Sequence, residues 1–373
     1  MTRAASGPPL LHPRTPRLPS ACRLTCRIGG RLLPRYPMIA LDDTRATQRL
    51  MWLREVTGQP LAGLERASTD AGHRSYWRTT GLAPSRIVMD APPGLEDVAR
   101  WLAIGDRLAA AGVRVPQVLA RNVTAGFLLL EDLGGPTLAQ SLTMESVDAG
   151  MDAAFGQLLL LQQMEDTTGL ARFDEALLLR DSGLFEEWFI QRHLGLTLDC
   201  GDVERLQLGL RRLMDNALAQ AQVPVHRDFM LRNLMPVADG PAVLDFQDLV
   251  IGPVAYDVAS LMRDAFLSWP EENVAHWVSQ YYVRAQSTGI PVPHDLPTFA
   301  RDVDFIGVQR HLKILGIFCR LHYRDGKSRY IADLPRFVTY LDSVLPRHPA
   351  LAPLAELFGR TLKPSLAARG AVA

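Results

Sequence analysis

The chain has 373 residues, 47% of them hydrophobic, enough for two modest domains or one large two-lobed one. Forty basic and 40 acidic side chains cancel to a formal net charge of zero, which excludes a global field favouring nucleic acid or an acidic membrane surface. No uncharged apolar run of about 18 residues is present, so no spanning helix is expected; the four scattered cysteines, Cys22, Cys26, Cys200 and Cys319, fit a reduced, cytoplasmic protein better than a disulfide or zinc framework.

Residues 1–37 hold seven Arg, seven Pro and no acid, and the composition changes at Met38. So much proline argues against helix or packed strand. The segment reads as a disordered leader, as sequence upstream of a start at Met38, or as a targeting arm; it lacks the continuous apolar core of a secretory signal.

A helix is expected over 42–57, with Leu50, Leu53 and Val56 among charges. Residues 64–90 alternate turn-formers with strand-like runs. Ser68-Thr69-Asp70-Ala71-Gly72 is a turn, Ser75–Arg78 leads out of it, and Arg86–Met89 is β-branched and apolar. A helix over 95–111 ends at Gly112, and Val118–Leu119 and Phe127–Leu130 are two further strands. Glu131-Asp132-Leu133-Gly134-Gly135-Pro136 breaks the pattern. Beyond it, residues 144–165, 183–194, 202–221, 254–268, 271–288, 299–323 and 333–345 read mainly as helices. The expected architecture is therefore α+β and bilobal, protein-kinase-like in outline: an N-terminal β-rich lobe over 38–131, a hinge at 132–135 and a helical lobe over 136–373. Such a clamp would seat an adenine against the backbone of Glu131, Asp132 and Leu133.

The most informative stretch runs from His226 to Asp248. Val223-Pro224-Val225 is a strand, followed by His226-Arg227-Asp228 and, five residues after the aspartate, Asn233; Ala242-Val243-Leu244 is a second strand ending at Asp245. Phosphoryl transfer from ATP needs a carboxylate to orient and deprotonate a hydroxyl, and oxygen ligands to hold Mg²⁺ on the phosphates. Asp228 is the candidate base; Asn233 and Asp245 are the candidate metal ligands. His226 is expected to pack and hydrogen-bond within the loop, Arg227 to pair with an acid, and Asp257 to orient the loop or to serve as a helix-terminus acid. Asp248 could touch metal or sugar.

Residues 226–260 resemble the aminoglycoside phosphotransferase and choline kinase group of kinase-like enzymes. Over roughly 41–358 the phrases Ser68–Arg78, Val88-Met89-Asp90-Ala91-Pro92-Pro93, Leu244–Asp248 and Gly307-Val308-Gln309-Arg310-His311-Leu312-Lys313 resemble the bacterial anomeric kinases of N-acetylmuramate and N-acetylglucosamine in cell-wall recycling. The resemblance implies ATP-dependent phosphorylation of a sugar 1-hydroxyl to an α-1-phosphate that can feed UDP-sugar synthesis. A kinase for another small hydroxyl compound (an aminoglycoside, choline, homoserine, another sugar) and an inactive kinase fold used for binding are the alternatives. Sugar and ATP are the implied small-molecule partners; nothing implies an obligate protein partner.

The chain departs from the common kinase pattern in one respect. Its only lysines are Lys313, Lys327 and Lys363, so no strand lysine can meet the ATP phosphates. Arg74, Arg78 and then Arg86 are the candidate phosphate cations, with Ser68, Thr69 and Gly72 beside them in a turn that has a single glycine. For the sugar, Arg232 in the catalytic loop and Arg310 and His311 on the 299–323 helix are the candidates, Arg310 for the muramyl carboxylate.

Overall fold

The computed structural model describes residues 41–59, 63–68 and 73–370, and the side chains from residue 44 onward. Thr69, Gly72, the leader 1–37 and Met38 lie outside the described residues. The chain divides into Met1–Thr47 and Gln48–Ala373. The described part of the first unit is the opening of helix α1 (Leu41–Thr57).

The second unit begins with the rest of α1 and a five-stranded sheet ordered β1-β2-β3-β5-β4. The strands are β1 (Gly63–Arg66), β2 (Ser75–Thr80), β3 (Arg86–Asp90), β4 (Val118–Asn122) and β5 (Phe127–Glu131), all antiparallel to their neighbours. Helix α2 (Val98–Ala110) connects β3 to β4; Asp97 caps it by accepting from the Arg100 amide at 2.9 Å. Its buried stripe, Val98, Trp101, Leu102, Ile104 and Leu108, faces the core. Arg49 of α1 is tied to the buried Asp90 at 2.7 Å.

After β5 come α3 (Leu138–Ser141), α4 (Val147–Gln162), β6 (Ala171–Arg172), α5 (Glu175–Leu184), α6 (Cys200–Ala219) and β7 (Gln222–Val225). The hairpin β8 (Leu234–Met235) and β9 (Ala242–Val243) follows, then β10 (Val250–Pro253), α7 (Tyr256–Met262), α8 (Glu271–Ser287) and α9 (Leu296–Tyr323). Helices α10 (Leu334–Val344), α11 (Ala352–Leu357) and α12 (Lys363–Ala368) end the described chain. Among the described residues no helix is long and apolar enough to cross a membrane.

Helices α3, α5, α11 and α12 are not among those expected from the sequence, and two of the expected helices differ in kind or extent. Helix α5 continues into a wider stretch at Phe185–His193, closed by an i→i+5 bond from the Leu194 amide to the Phe189 carbonyl at 2.9 Å. The 254–268 helix stops at Met262, where the Asp264 carboxylate accepts from the Phe266 amide at 2.6 Å and turns the chain.

Helix α9 runs through the helical core. A Cβ on Gly316 would lie 2.3 Å from the Leu184 carbonyl oxygen and 2.7 Å from the Phe185 amide nitrogen, and backbone cannot move aside as a side chain can. Gly316→Ala should cost about 2–3 kcal/mol. Denaturant unfolding would show it as a lower midpoint; an unchanged midpoint would mean that the two backbones tolerate wider spacing.

Candidate active site

The stretch from β7 to β9 carries the groups expected to do chemistry. Arg227 and Asp245 are the two non-glycine residues with positive φ among the described residues, at 77° and 61°. A left-handed arginine costs on the order of 1–2 kcal/mol, so its surroundings must hold it. They do so on both sides. The Asp257 carboxylate accepts from the His226 amide at 2.6 Å and from the Arg227 amide at 3.0 Å. The Arg227 carbonyl accepts from Arg310 Nη1 at 2.5 Å and from Ser260 Oγ at 3.3 Å.

His226, fully buried, joins the loop to the second strand. Its Nδ1 accepts from the Asp228 amide at 3.3 Å and its Nε2 lies 2.9 Å from the Leu244 carbonyl. A carbonyl only accepts, so this pair of contacts places the ring proton on Nε2. Asn233 donates Nδ2 to the Asp228 carbonyl at 2.9 Å, and its own carbonyl accepts from the Leu244 amide at 2.8 Å. The backbones of Asp228, Asn233 and Leu244-Asp245 are thus one hydrogen-bonded unit. The Asn233 bond also orients its amide, leaving Oδ1 as the free end. The Asp228 carboxylate is half-buried and receives no hydrogen bond from another described residue.

Asp245 is met from the sheet side. Arg74, just before β2, places Nη2 3.2 Å from Asp245 Oδ1 and Nε 3.3 Å from Glu96 Oε2. Gln247 Nε2 donates to the same Asp245 oxygen at 2.9 Å. Phe246 packs on α2, with its ring 4.8 Å from that of Trp101, and Arg100 Nε donates to the Gln247 carbonyl at 3.0 Å. Asp248 lines a cavity of about 140 Å³ with Arg74, Glu96, Arg100 and Gln247, which puts it on the arginine side of the cleft.

The other expected cations are engaged elsewhere. Arg78 forms a two-pronged pair with Asp132 at 2.7 and 3.0 Å and donates to the Gly134 carbonyl at 2.8 Å, so it braces the linker rather than facing phosphate. Ser85 Oγ completes the Asp132 carboxylate at 2.7 Å. Arg86 on β3 is half-buried and donates to the Ser85 carbonyl at 3.2 Å. Ser68 accepts from Arg66 through its carbonyl at 2.9 Å. The Glu131 carboxylate is taken by Arg114 at 2.5 and 2.8 Å and by the Gln117 amide at 2.6 Å, and the arginine holds it below the ordinary carboxylate range. Leu133, half-buried, follows them in the linker, and its backbone bonds to no other described residue.

On the helical side, Arg310 is 4% exposed, with its guanidinium 4.8 Å above the Tyr256 ring and its Nη1 on the Arg227 carbonyl. That placement replaces a carboxylate-binding role with a brace beneath the catalytic loop. His311 is likewise buried; Nε2 meets the Arg263 carbonyl at 3.0 Å and the ring packs edge-on against Tyr340. Burial pushes its pKa down to about 3, so it is a neutral core residue rather than a sugar contact. Arg232 lies with its guanidinium 4.5 Å over the Phe266 ring. Asp257 is fully buried. Burial pushes its acid up to about 6 against the opposing pull of His226, the two amides and Arg310.

Sequence reasoning missed Gln247, Ser260 and Tyr256, and could not distinguish Glu96 from an ordinary capping acid. The partners of Ser260, Tyr256 and Glu96 lie far away along the chain, and although Gln247 is only two residues from Asp245, its residue type does not mark it as a partner. Among the described residues no cluster of three or more His, Cys, Asp or Glu side chains could hold a metal. The donor set here is instead one amide oxygen and one carboxylate. That set suits Mg²⁺, which keeps waters and takes its remaining ligands from phosphates.

The model of the phosphotransferase enzyme family matches residues 63–296. The N-acetylmuramate/N-acetylglucosamine kinase of Pseudomonas putida is 43% identical over 325 residues, covering 84% of this chain and 96% of that protein. The protein of the same name from Neisseria meningitidis is 41% identical over 311 residues, covering 82% and 92%. Among solved structures, a choline/ethanolamine kinase family protein from Mesorhizobium loti superposes with a TM-score of 0.58 at 14% identity, covering 85% of this chain and 98% of that one. An ADP-bound aminoglycoside phosphotransferase, APH(2'')-Ib, superposes with a TM-score of 0.56 at 16% identity, covering 83% and 98%. These two likenesses extend to the fold alone.

Proposed function

The chain belongs to the phosphotransferase enzyme family, and from that premise we propose that it uses ATP to phosphorylate the 1-hydroxyl of N-acetylmuramate, N-acetylglucosamine or both. The product would be an α-1-phosphate, available to cell-wall recycling as a precursor of UDP-sugars. The observation that carries the reading is the hydrogen-bonded unit of Asp228, Asn233 and Leu244-Asp245, which holds a carboxylate with no hydrogen-bond donor among the described residues beside two oxygen ligands.

Asp228 takes the proton of the sugar hydroxyl as the phosphoryl group leaves ATP. An anomeric hydroxyl is more acidic than an ordinary alcohol, so a carboxylate suffices as base, and most of the catalysis is positioning and charge neutralisation. Asn233 Oδ1 and Asp245 would hold Mg²⁺, which when bound neutralises charge on the phosphates. Arg74 supplies the cation that other kinases take from a strand lysine, steadied by Glu96. The backbone of Asp132 and Leu133 offers the adenine its hydrogen-bonding edge. Asp257, Arg310, Ser260 and His226 hold the loop in its left-handed turn. Arg232, beside the catalytic loop, is the remaining candidate for the sugar.

A coupled assay of ADP release across a panel of N-acetylated sugars, aminoglycosides, choline and homoserine tests the substrate class. Turnover is expected with the two N-acetylated sugars; turnover with an amine substrate alone would move the chain to another branch of the family. Arg74→Ala should raise the KM for ATP roughly tenfold while leaving kcat nearer to wild type. A KM unchanged in initial-rate kinetics would remove Arg74 from the phosphates.

Asp257 gives the pH dependence. An acid titrating near 6 is charged above that pH and neutral below it. Its two amide bonds are strongest to the charged form, so kcat/KM should fall as pH drops through about 6. Asp257→Asn presents an N–H to one of the two amides, and should lower the rate at neutral pH and abolish that acid limb. A limb that persists unchanged in Asp257→Asn would assign it to another group.

A further inference from the structure

A cavity of about 520 Å³ lies behind helix α2, and none of the residues assigned above to phosphate, metal or proton transfer lines it. Its size falls within the usual span of small-molecule sites. The apolar wall is Trp101, Leu102, Val113 and Val115; the charged groups are Asp106, Arg114 and Asp239. The arginine is already matched, since both its terminal nitrogens bind the Glu131 carboxylate and one also donates to the Val115 carbonyl at 2.6 Å. Asp106 and Asp239 are exposed, and Asp239 lies in the electrostatic reach of Arg114 without a salt-bridge contact to it. One arginine, shared between Glu131 and Asp239, faces two carboxylates, so the net charge of this lining is negative, and it stands beside an indole and three valines, Val113, Val115 and Val118.

We propose that this cavity is a second ligand site, for a small organic cation with an aromatic or apolar body. The ammonium would meet Asp106 and Asp239, and the body would cover Trp101 and the valines. The walls connect the occupant to the nucleotide cleft. The Arg114 carbonyl accepts from the Val243 amide at 2.7 Å, two residues before Asp245, and its guanidinium holds Glu131 at the edge of the hinge. Trp101 packs at a tilt against Phe246, the residue after Asp245, with ring centroids 4.8 Å apart. Binding here therefore alters nucleotide affinity, and by linkage nucleotide alters binding here.

Calorimetry on the full chain with phenethylamine and its uncharged analogue 2-phenylethanol tests this without relying on turnover. The amine should bind at one site, at least about tenfold tighter than the alcohol, and still bind when Mg-ATP is saturating. Ala109→Trp, which fills the cavity wall, should abolish binding, and Asp106→Asn should weaken it, with ATP-dependent turnover unchanged in both. The ATP Kd should differ with and without the amine; equal values would refute the coupling. No heat from the amine, equal affinities for amine and alcohol, competition by Mg-ATP, or unchanged binding in both variants would each overturn the site.

Discussion

Asp228→Ala should lower kcat by about a thousand-fold or more, while the KM for ATP stays within a few-fold of wild type. The two effects separate because of how the loop is held. Asp228 anchors the loop through its amide, on His226 Nδ1, and its carbonyl, which accepts from Asn233 Nδ2; both are main-chain contacts that alanine keeps. Only the carboxylate is lost, and no described residue depends on it for a hydrogen bond. The loss corresponds to several kcal/mol of transition-state stabilisation with the fold intact. Steady-state kinetics together with a thermal melt would check both halves. A variant that retained a tenth of the rate would place the base elsewhere; one that lost stability and ATP binding together would make Asp228 a structural residue. The same loss of rate would also exclude an inactive binding module.

Asp245→Ala should match that fall in rate but differ in kind. Asp245 sits at φ 61° and its Oδ1 accepts from both Arg74 and Gln247. Alanine in this conformation adds strain on the order of 1–2 kcal/mol and leaves two donors without their acceptor. Asp245→Asn separates strain from charge, because asparagine tolerates the left-handed region at least as well as aspartate. The asparagine variant should still lose about a hundred-fold or more in rate and require a higher Mg²⁺ concentration at fixed ATP. Titrating Mg²⁺ at constant ATP measures this directly. Wild-type magnesium dependence in Asp245→Asn would mean that the carboxylate is not a ligand.

The candidate site was legible in the sequence where it is local. The loop from His226 to Asn233 is short, and the role proposed for it follows from residue types at fixed spacing between two apolar strands. Four of the five strands of the sheet and most of the helices were legible from apolar runs bounded by glycine and proline; β1, Gly63–Arg66, carries two charges in four residues and was not. Long-range pairing was not. Nothing near Arg78 announces Asp132, 54 positions away, and nothing near Arg74 announces Asp245, 171 positions away. Helix α9 misled for a different reason. Fifteen of its residues are buried, including Arg310 and His311, so no single face marks the solvent side and a shared helical face could not say what that face meets. Lys313, which shares the Arg310 face, pairs with Asp181 at 3.0 Å. The wider turns at Phe185–His193 were equally hidden; they begin where Gly316, remote in sequence, crosses close over Leu184 and Phe185.

Phosphorus NMR of the product formed from Mg-ATP and either N-acetylated sugar tests the central claim most directly. A phosphate resonance coupled to H1 of the α-anomer is the predicted result. A 6-phosphate, or no phosphate transfer to either sugar, would contradict it.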